Sequence, residues 1–274
     1  MTSPVPASAG VALLPDAPLD LAGEPMPSEA AAAAAGFALV MGYRDGMLSL
    51  WRPEGREKPL AVDFGGGRMG YRLAAERARH ERLVRAAGKL SIHDNEGDRD
   101  LEAVERDGQR SSVQKGLLVD ATAGLGRDAA LLARAGWQLI LLERQPLLHA
   151  MLVDALRRDP EMARSMQPLQ VDSLAWLQRR LHSDLPRPEV VCLDPMFPER
   201  EKSAAIKKDL AWLQQLCGST REEDDAALLA AACELAGKRV VVKRPLRAPP
   251  LGGAAPSHAL PGKTVRFDIY LTSF

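Results

Sequence analysis

The chain has 274 residues, 46% of them apolar, enough to bury the core of one large α/β domain, alone or with a small appendage. Its 36 lysines and arginines balance 36 acidic residues, which excludes a uniformly basic surface and leaves any nucleic-acid contact to local patches. The longest apolar run, 30–43, is too short for a membrane helix, and residues 1–43 hold no Lys or Arg to open a signal or transit peptide, so a soluble cytoplasmic chain is expected.

In chain order, residues 1–35 are rich in Pro and Ala without an apolar period and read as a flexible or loosely packed lead-in. Apolar runs at 37–42 and 47–51 flank Arg44-Asp45-Gly46, a hairpin signal, and a third run, 60–64, ends in Gly65-Gly66-Gly67. From 69 to 87 the pattern turns helical and strongly charged. Residues 36–90 are therefore expected as a small β-rich subdomain, hairpin plus helix, and the polar stretch 91–115 as a linker or insertion. From 116 to 274 the reading sharpens. Runs at 117–119, 138–142, 169–171, 190–193 and 240–242 are expected as buried strands. Helical periods occupy 128–135, 146–158, 174–181, 201–217 and 222–235, with Thr220 and Glu223 as a capping box for the last. Such alternation implies an α/β fold, a doubly wound and mostly parallel sheet joined by right-handed crossovers. The run 265–271, after a Pro/Gly-rich loop, is expected to join it antiparallel.

Asp120-Ala121-Thr122-Ala123-Gly124-Leu125-Gly126-Arg127-Asp128-Ala129 directly follows the first of these strands. Gly124 and Gly126 permit a sharp turn and close ligand approach, and the helix behind them presents free N–H groups. The segment also fits the dinucleotide pattern G-x-G-x-x-A, so this motif alone leaves a nicotinamide-dependent oxidoreductase or a plain nucleotide binder open. Asp120 favours a different ligand. A carboxylate at the strand's end opposes a pyrophosphate and suits a cationic, amine-bearing molecule such as S-adenosylmethionine. Glu143, ending the second strand, is placed to accept from both ribose hydroxyls of either cofactor, and Asp172-Ser173, after the third, to hold an adenine amine. Acids at three successive strand ends converge because ligands of such sheets bind at the carboxyl edge.

The fourth strand runs into Asp194-Pro195-Met196-Phe197-Pro198, where two prolines impose a rigid, non-helical loop. The loop resembles the (Asp/Asn)-Pro-Pro-(Tyr/Phe) loop of methyltransferases that act on exocyclic amino groups, with Met196 in place of the second proline. That resemblance makes Asp194 and the Pro195 carbonyl acceptors for the target NH₂ and stacks Phe197 on the flipped base. Asp194 and Phe197 are thus the expected catalytic residues. A guanine N2 lone pair is delocalised into the ring, so fixing the amine toward the methyl donor supplies the proximity and electrostatic terms the transfer needs. Among the basic residues, Lys202, Lys243 and Arg244 are expected to touch substrate, while Lys207 and Lys208 read as a solvated face. Cys192, Cys217 and Cys233 form no CxxC pair, and the histidines show no ligand spacing, so neither a metal site nor a disulfide framework is expected.

The strings LLVDATAGLGRDAALLARAG, LLERQP, VVCLDPMFPEREKSAAIKKDL, KRVVVKRP and RFDIY resemble the bacterial small-subunit rRNA guanine-N2 methyltransferase J family. The resemblance covers roughly 117–270, with an outlying fragment at 62–67. It implies a Rossmann-like class I methyltransferase fold and S-adenosylmethionine contacts at Arg127, Asp128, Glu143, Arg144, Asp172, Ser173 and Asp194, beside Asp120, Gly124 and Gly126. It further implies 16S rRNA, or the small ribosomal subunit, as partner, and methylation of one guanosine near its 3′ end. Residues 1–60 match poorly and 91–114 looks like an insertion, and both bear on how substrate is presented. The loop by itself also admits a DNA adenine N6 or protein glutamine target; the strings downstream of it favour the ribosomal family.

Overall fold

The computed structural model describes residues 10–78, 80–88, 116–195, 212 and 222–272. The expected linker 91–115, the helix expected at 201–217 and Thr220 of the capping box lie outside the described residues.

Val11–Leu13 (β1), Glu24–Pro25 (β2), Leu39–Arg44 (β3), Met47–Trp51 (β4) and Leu60–Ala61 (β5) form one sheet, in the order β2-β1-β3-β4-β5, with Glu29–Ala34 (α1) between β2 and β3. The β3–β4 hairpin closes on Asp45 and Gly46 at φ 52° and 72°, the paired positive angles of a type I′ turn. The loose lead-in expected at 1–35 is corrected from residue 10 onward. There β1 lies parallel between β2 and β3 with all three of its residues buried. Alanine composition hid this packing: Ala12 and Ala32 are fully buried in a small cluster with Val40 and Trp51, where only a short side chain fits between helix and sheet. Ser28 caps α1 by accepting from the Ala31 N–H. The charged stretch that follows is three short helices rather than one, Gly67–Arg72 (α2), Ala75–Ala78 (α3) and Arg82–Ala87 (α4), and Glu81 turns extended just ahead of α4.

The second sheet carries the rest. Its strands are Leu117–Asp120 (β6), Gln138–Glu143 (β7), Met166–Gln170 (β8), Val190–Leu193 (β9), Arg239–Pro245 (β10), His258–Pro261 (β11) and Val265–Leu271 (β12). They lie in the order β11-β12-β10-β9-β6-β7-β8; β6 to β10 are parallel, and β12 runs antiparallel to β10 as expected. The described helices are Arg127–Arg134 (α5), Pro146–Arg158 (α6), Pro160–Ala163 (α7), Ser173–Leu181 (α8) and Glu222–Leu235 (α9). β8 begins earlier than the expected 169–171 because Pro168, a break signal in sequence, is tolerated on this edge strand. β11 was expected as loop; it is a mostly exposed edge, so it carries no apolar alternation to read.

Side-chain alternation divides this sheet between two cores. Leu118, Leu139, Leu141, Cys192 and Val241 face one core, shared with α5, α6 and the N-terminal sheet. Val119, Leu142, Val191, Leu193 and Val242 face the other, under α8 and α9. Burial on both faces explains why the central strands read as continuous apolar runs. Each large aliphatic buried this way contributes about 1.5–3 kcal/mol. Strand order reverses at β6, which lies between β7 and β9, and the carboxyl edge beside such a reversal is where doubly wound sheets bind ligands.

Candidate active site

Five segments deliver polar groups to this carboxyl edge. β6 ends in Asp120, whose Oδ1 accepts from the Thr122 N–H at 3.1 Å and so folds the turn back on the strand. Burial foremost, with the charges of Asp128 and Asp194, lifts the Asp120 carboxyl to about 7, while the Thr122 N–H and Lys243 pull it down.

The two glycines of this turn serve different ends. Gly124 and Gly126 both take positive φ, 52° and 67°, which disfavours any side chain. A Cβ on Gly124 would meet nothing closer than the Thr122 carbonyl at 4.0 Å, so this face is open to a ligand. A Cβ on Gly126 would strike Leu152 Cδ1 at 2.7 Å, so that glycine answers to packing against α6. Space for a close approach thus exists at Gly124, whereas the same face of Gly126 is filled by packing. Arg127 opens α5 exposed to solvent, and Asp128 lies in its first turn, where the helix dipole favours a carboxylate.

Glu143, at the end of β7, is buried and braced: Oε2 accepts from the Gly124 N–H at 2.9 Å and Oε1 from the Gln145 N–H at 2.7 Å. Burial pushes its pKa up against these two bonds. Each oxygen retains a lone pair for a hydroxyl donor. Arg144 beside it is half-buried. Asp172 caps α8, its Oδ1 accepting from the Ala175 N–H at 2.9 Å, and Ser173 Oγ donates to the Ala121 carbonyl at 2.5 Å. These bonds pin the start of α8 to the β6 turn.

Asp194, exposed, follows β9, and its N–H donates to Thr122 Oγ1 at 2.6 Å, locking the two loops together. Thr122 gives no sign of this link in the sequence, since nothing local says that a hydroxyl on one loop meets an N–H on another. Pro195 is buried. Phe197 and Lys202 lie outside the described residues.

Lys243 occupies the centre of the cluster. Its Nζ donates to Asp128 Oδ2 and to Asp194 Oδ2, each at 2.7 Å. Burial works against the ammonium, but Asp194 and Asp128 outweigh it and hold its pKa above the ordinary lysine value. Expected as a substrate contact, Lys243 stands here as a cross-link between two carboxylates of the candidate site. Arg244 is corrected outright. It is 3% exposed, and its Nε and Nη2 donate to the Pro249 carbonyl at 3.1 and 2.8 Å, so no phosphate reaches it. Neighbours on a strand point to opposite faces, and Arg244 falls on the side of α9, away from Lys243.

Asp120, Asp128, Asp194 and Lys243 thereby converge on one small cleft, walled by Cys192 and by Leu83 of α4. Three acidic groups against one ammonium give the cleft a negative balance. The open Gly124 face and the buried Glu143 carboxyl, which accepts from the Gly124 N–H, stand beside it.

The profile of a family described as "Putative SAM-dependent methyltransferase" matches residues 29–272. A ribosomal RNA small subunit methyltransferase J from Alcanivorax borkumensis is 47% identical over 260 residues, covering 94% of each chain. Its counterpart from Thioalkalivibrio sulfidiphilus is 42% identical over 78% of this chain and 76% of its own. In three dimensions, a SAM-dependent methyltransferase from Neisseria gonorrhoeae superposes with a TM-score of 0.64 at 25% identity, over 95% of each chain. The chain therefore belongs to the ribosomal RNA small subunit methyltransferase J family and is an S-adenosylmethionine-dependent methyltransferase.

Proposed function

We propose that this protein methylates the exocyclic N2 amine of a guanosine in 16S rRNA, acting in the cytoplasm where small ribosomal subunits are made. The observation that carries this reading is the setting of Asp194: exposed at the carboxyl end of β9, its N–H held by Thr122 and one carboxylate oxygen held by Lys243. A carboxylate fixed in this way is a charged acceptor that lines the cleft and faces solvent.

S-adenosylmethionine fits the residues present, and when bound it supplies an electrophilic methyl group on a sulfonium. Asp120 and Asp128 offer the cleft's negative charge to its cationic groups. Glu143 accepts from the ribose hydroxyls, with Arg127, Arg144, Asp172 and Ser173 completing the cofactor's surroundings. Asp194 and the Pro195 carbonyl accept from the guanine amine and turn its lone pair toward the methyl group, while Phe197 stacks on the base. Positive charge developing on the amine as it took the methyl group would be stabilised by the Asp194 carboxylate, and the amine's proton would pass to solvent.

Tritiated methyl transfer to small subunits lacking the modification, followed by nucleoside digestion, tests the reading. Label in N2-methylguanosine is expected. Label in adenosine, or in ribosomal protein, overturns the guanine assignment.

A further inference from the structure

Between 68 and 85 the sequence carries six arginines, Arg68, Arg72, Arg77, Arg79, Arg82 and Arg85, against Glu76 and Glu81, a surplus of four positive charges in a chain whose net charge is zero. The fold sets the described helices of this segment beside the active cleft. α3 and α4 pack on α5, whose first turn holds Asp128, and Leu83 of α4 lines the cleft itself. Arg72 pairs with Glu81 and lies close enough to feel the charge of Asp128.

Arg77, Arg82 and Arg85 are exposed, and Arg82 and Arg85, three apart on α4, share one side. The Arg82 side chain reaches over the turn between β11 and β12, passing 3.7 Å from where a Cβ on Gly262 would stand. The next residue, Lys263, is exposed. That turn stands at the carboxyl edge, because Val265 pairs with Pro245 at the end of β10. Tyr71 of α2 is 61% exposed, with the Arg77 guanidinium over its ring at 3.9 Å from the centroid. A large aromatic left in water and stiffened by a cation is poor solvation chemistry but a suitable platform for an unpaired base.

We propose that α2–α4 and the β11–β12 turn form the docking surface for the substrate's RNA backbone, with Arg82, Arg85 and Lys263 on phosphates and Tyr71 stacking on an unpaired base. This rests on the ribosomal RNA reading. It accounts for how a chain of zero net charge holds a polyanion: the positive charge is concentrated next to Asp194 rather than spread over the surface.

The test measures binding of the full-length protein to a fluorescent 16S rRNA transcript and to small subunits across a salt series. Replacing Arg82, Arg85 and Lys263 together by Ala is expected to weaken RNA binding at least tenfold. It should also flatten the log–log salt slope by about 2, since each lost phosphate contact removes about 0.7–0.9. Calorimetric affinity for S-adenosylhomocysteine should stay within twofold, which shows that the fold is intact. Arg82→Lys with Arg85→Lys, which keeps the charge, should restore the slope, and Tyr71→Ala should weaken binding without changing it. Wild-type slope and affinity in the triple variant overturn the surface while leaving the methyltransferase reading intact. Loss of binding to subunits with none to naked transcript shifts the contact to ribosomal protein and overturns the RNA assignment. A wild-type protein that methylates no RNA removes the functional reading and the surface with it.

Discussion

Lys243→Met probes the centre of the site. The Lys243 ammonium donates at 2.7 Å to both Asp128 and Asp194, and its side chain is 28% exposed, so both ion pairs are partly shielded from solvent. Asp194 is more open at 46%, so its share must be discounted for screening. Hydrogen bonds to charged groups are worth about 1.5–3 kcal/mol when shielded. With the discount, losing both costs about 2 kcal/mol, a fall of roughly 4–8 °C in Tm for a chain of this size. The same change takes the cluster of Asp120, Asp128, Asp194 and Lys243 from a formal charge of −2 to −3. S-adenosylmethionine carries a sulfonium that S-adenosylhomocysteine lacks, and one unit charge at contact is worth about 1 kcal/mol even at the screening of bulk water. The ratio of affinities should therefore move at least about fivefold toward S-adenosylmethionine. Asp194 loses its anchor, so kcat should fall at least tenfold. Isothermal titration with both ligands and differential scanning calorimetry measure these effects, and Lys243→Arg, which keeps the charge, should keep the affinity ratio. An unchanged ratio together with an unchanged Tm in Lys243→Met would refute the account of Lys243 as the bridge between these carboxylates.

Deleting residues 1–30 removes β1 and β2 and opens α1, so Tm should drop by more than ten degrees; Leu13→Ala alone, at a buried site, should cost about 2–4 kcal/mol in chemical unfolding. A truncated protein that melts like the full chain would show that β1 adds nothing to the core. Gly126→Ala should destabilise by more than 2 kcal/mol, since positive φ and the Leu152 clash act together, whereas Gly124→Ala should chiefly weaken S-adenosylhomocysteine binding; equal effects of the two on Tm would count against that division. Because the folded-state pKa of Asp120 is raised from its ordinary 3.8 to about 7, the folded protein keeps a proton that the unfolded chain gives up, and this contribution to stability fades as pH rises between those values. Asp120→Asn should accordingly gain stability relative to wild type across that window, and a pH-independent difference in melting would contradict it.

How much of this was legible in the sequence depended on whether the signal was local. α6, α9, β9 and β12 sit at the bounds that periodicity indicates, because each is long or apolar enough for its pattern to exceed chance. The Asp45-Gly46 turn was legible from its chemistry, since only such residues take two positive φ angles cheaply. What failed was information carried by neighbours distant in sequence. Lys243 and Arg244 look alike in a string, but strand parity sends one into the acidic cleft and the other under a carbonyl on the far side. Gly124 and Gly126 look like one motif, yet only the position of Leu152 tells which of them leaves room for a ligand. Alanines in the first 35 residues read as an absence of packing, although a buried alanine is what close approach of a helix to a sheet requires.

The N-terminal sheet is tied into the framework of the candidate site and is not an attachment to it. Phe64, 4% exposed, stands 3.5 Å from where a Cβ on Gly126 would lie, so the run after β5 helps define the space that forces a glycine at the start of α5. On the opposite side Asp154 of α6 accepts from the Leu48 N–H and from Arg158, and Arg158 donates onward to the Val62 carbonyl. These bonds hold the hairpin and the residues after β5 to the helix that packs on Gly126. The first turn of α5 then carries Asp128 to Lys243, and Lys243 carries the constraint to Asp194. Each link is a bond or a contact with little slack, so Asp194 inherits its position from residues more than a hundred positions earlier in the chain. A methyl transfer that depends on sub-ångström alignment needs such a support.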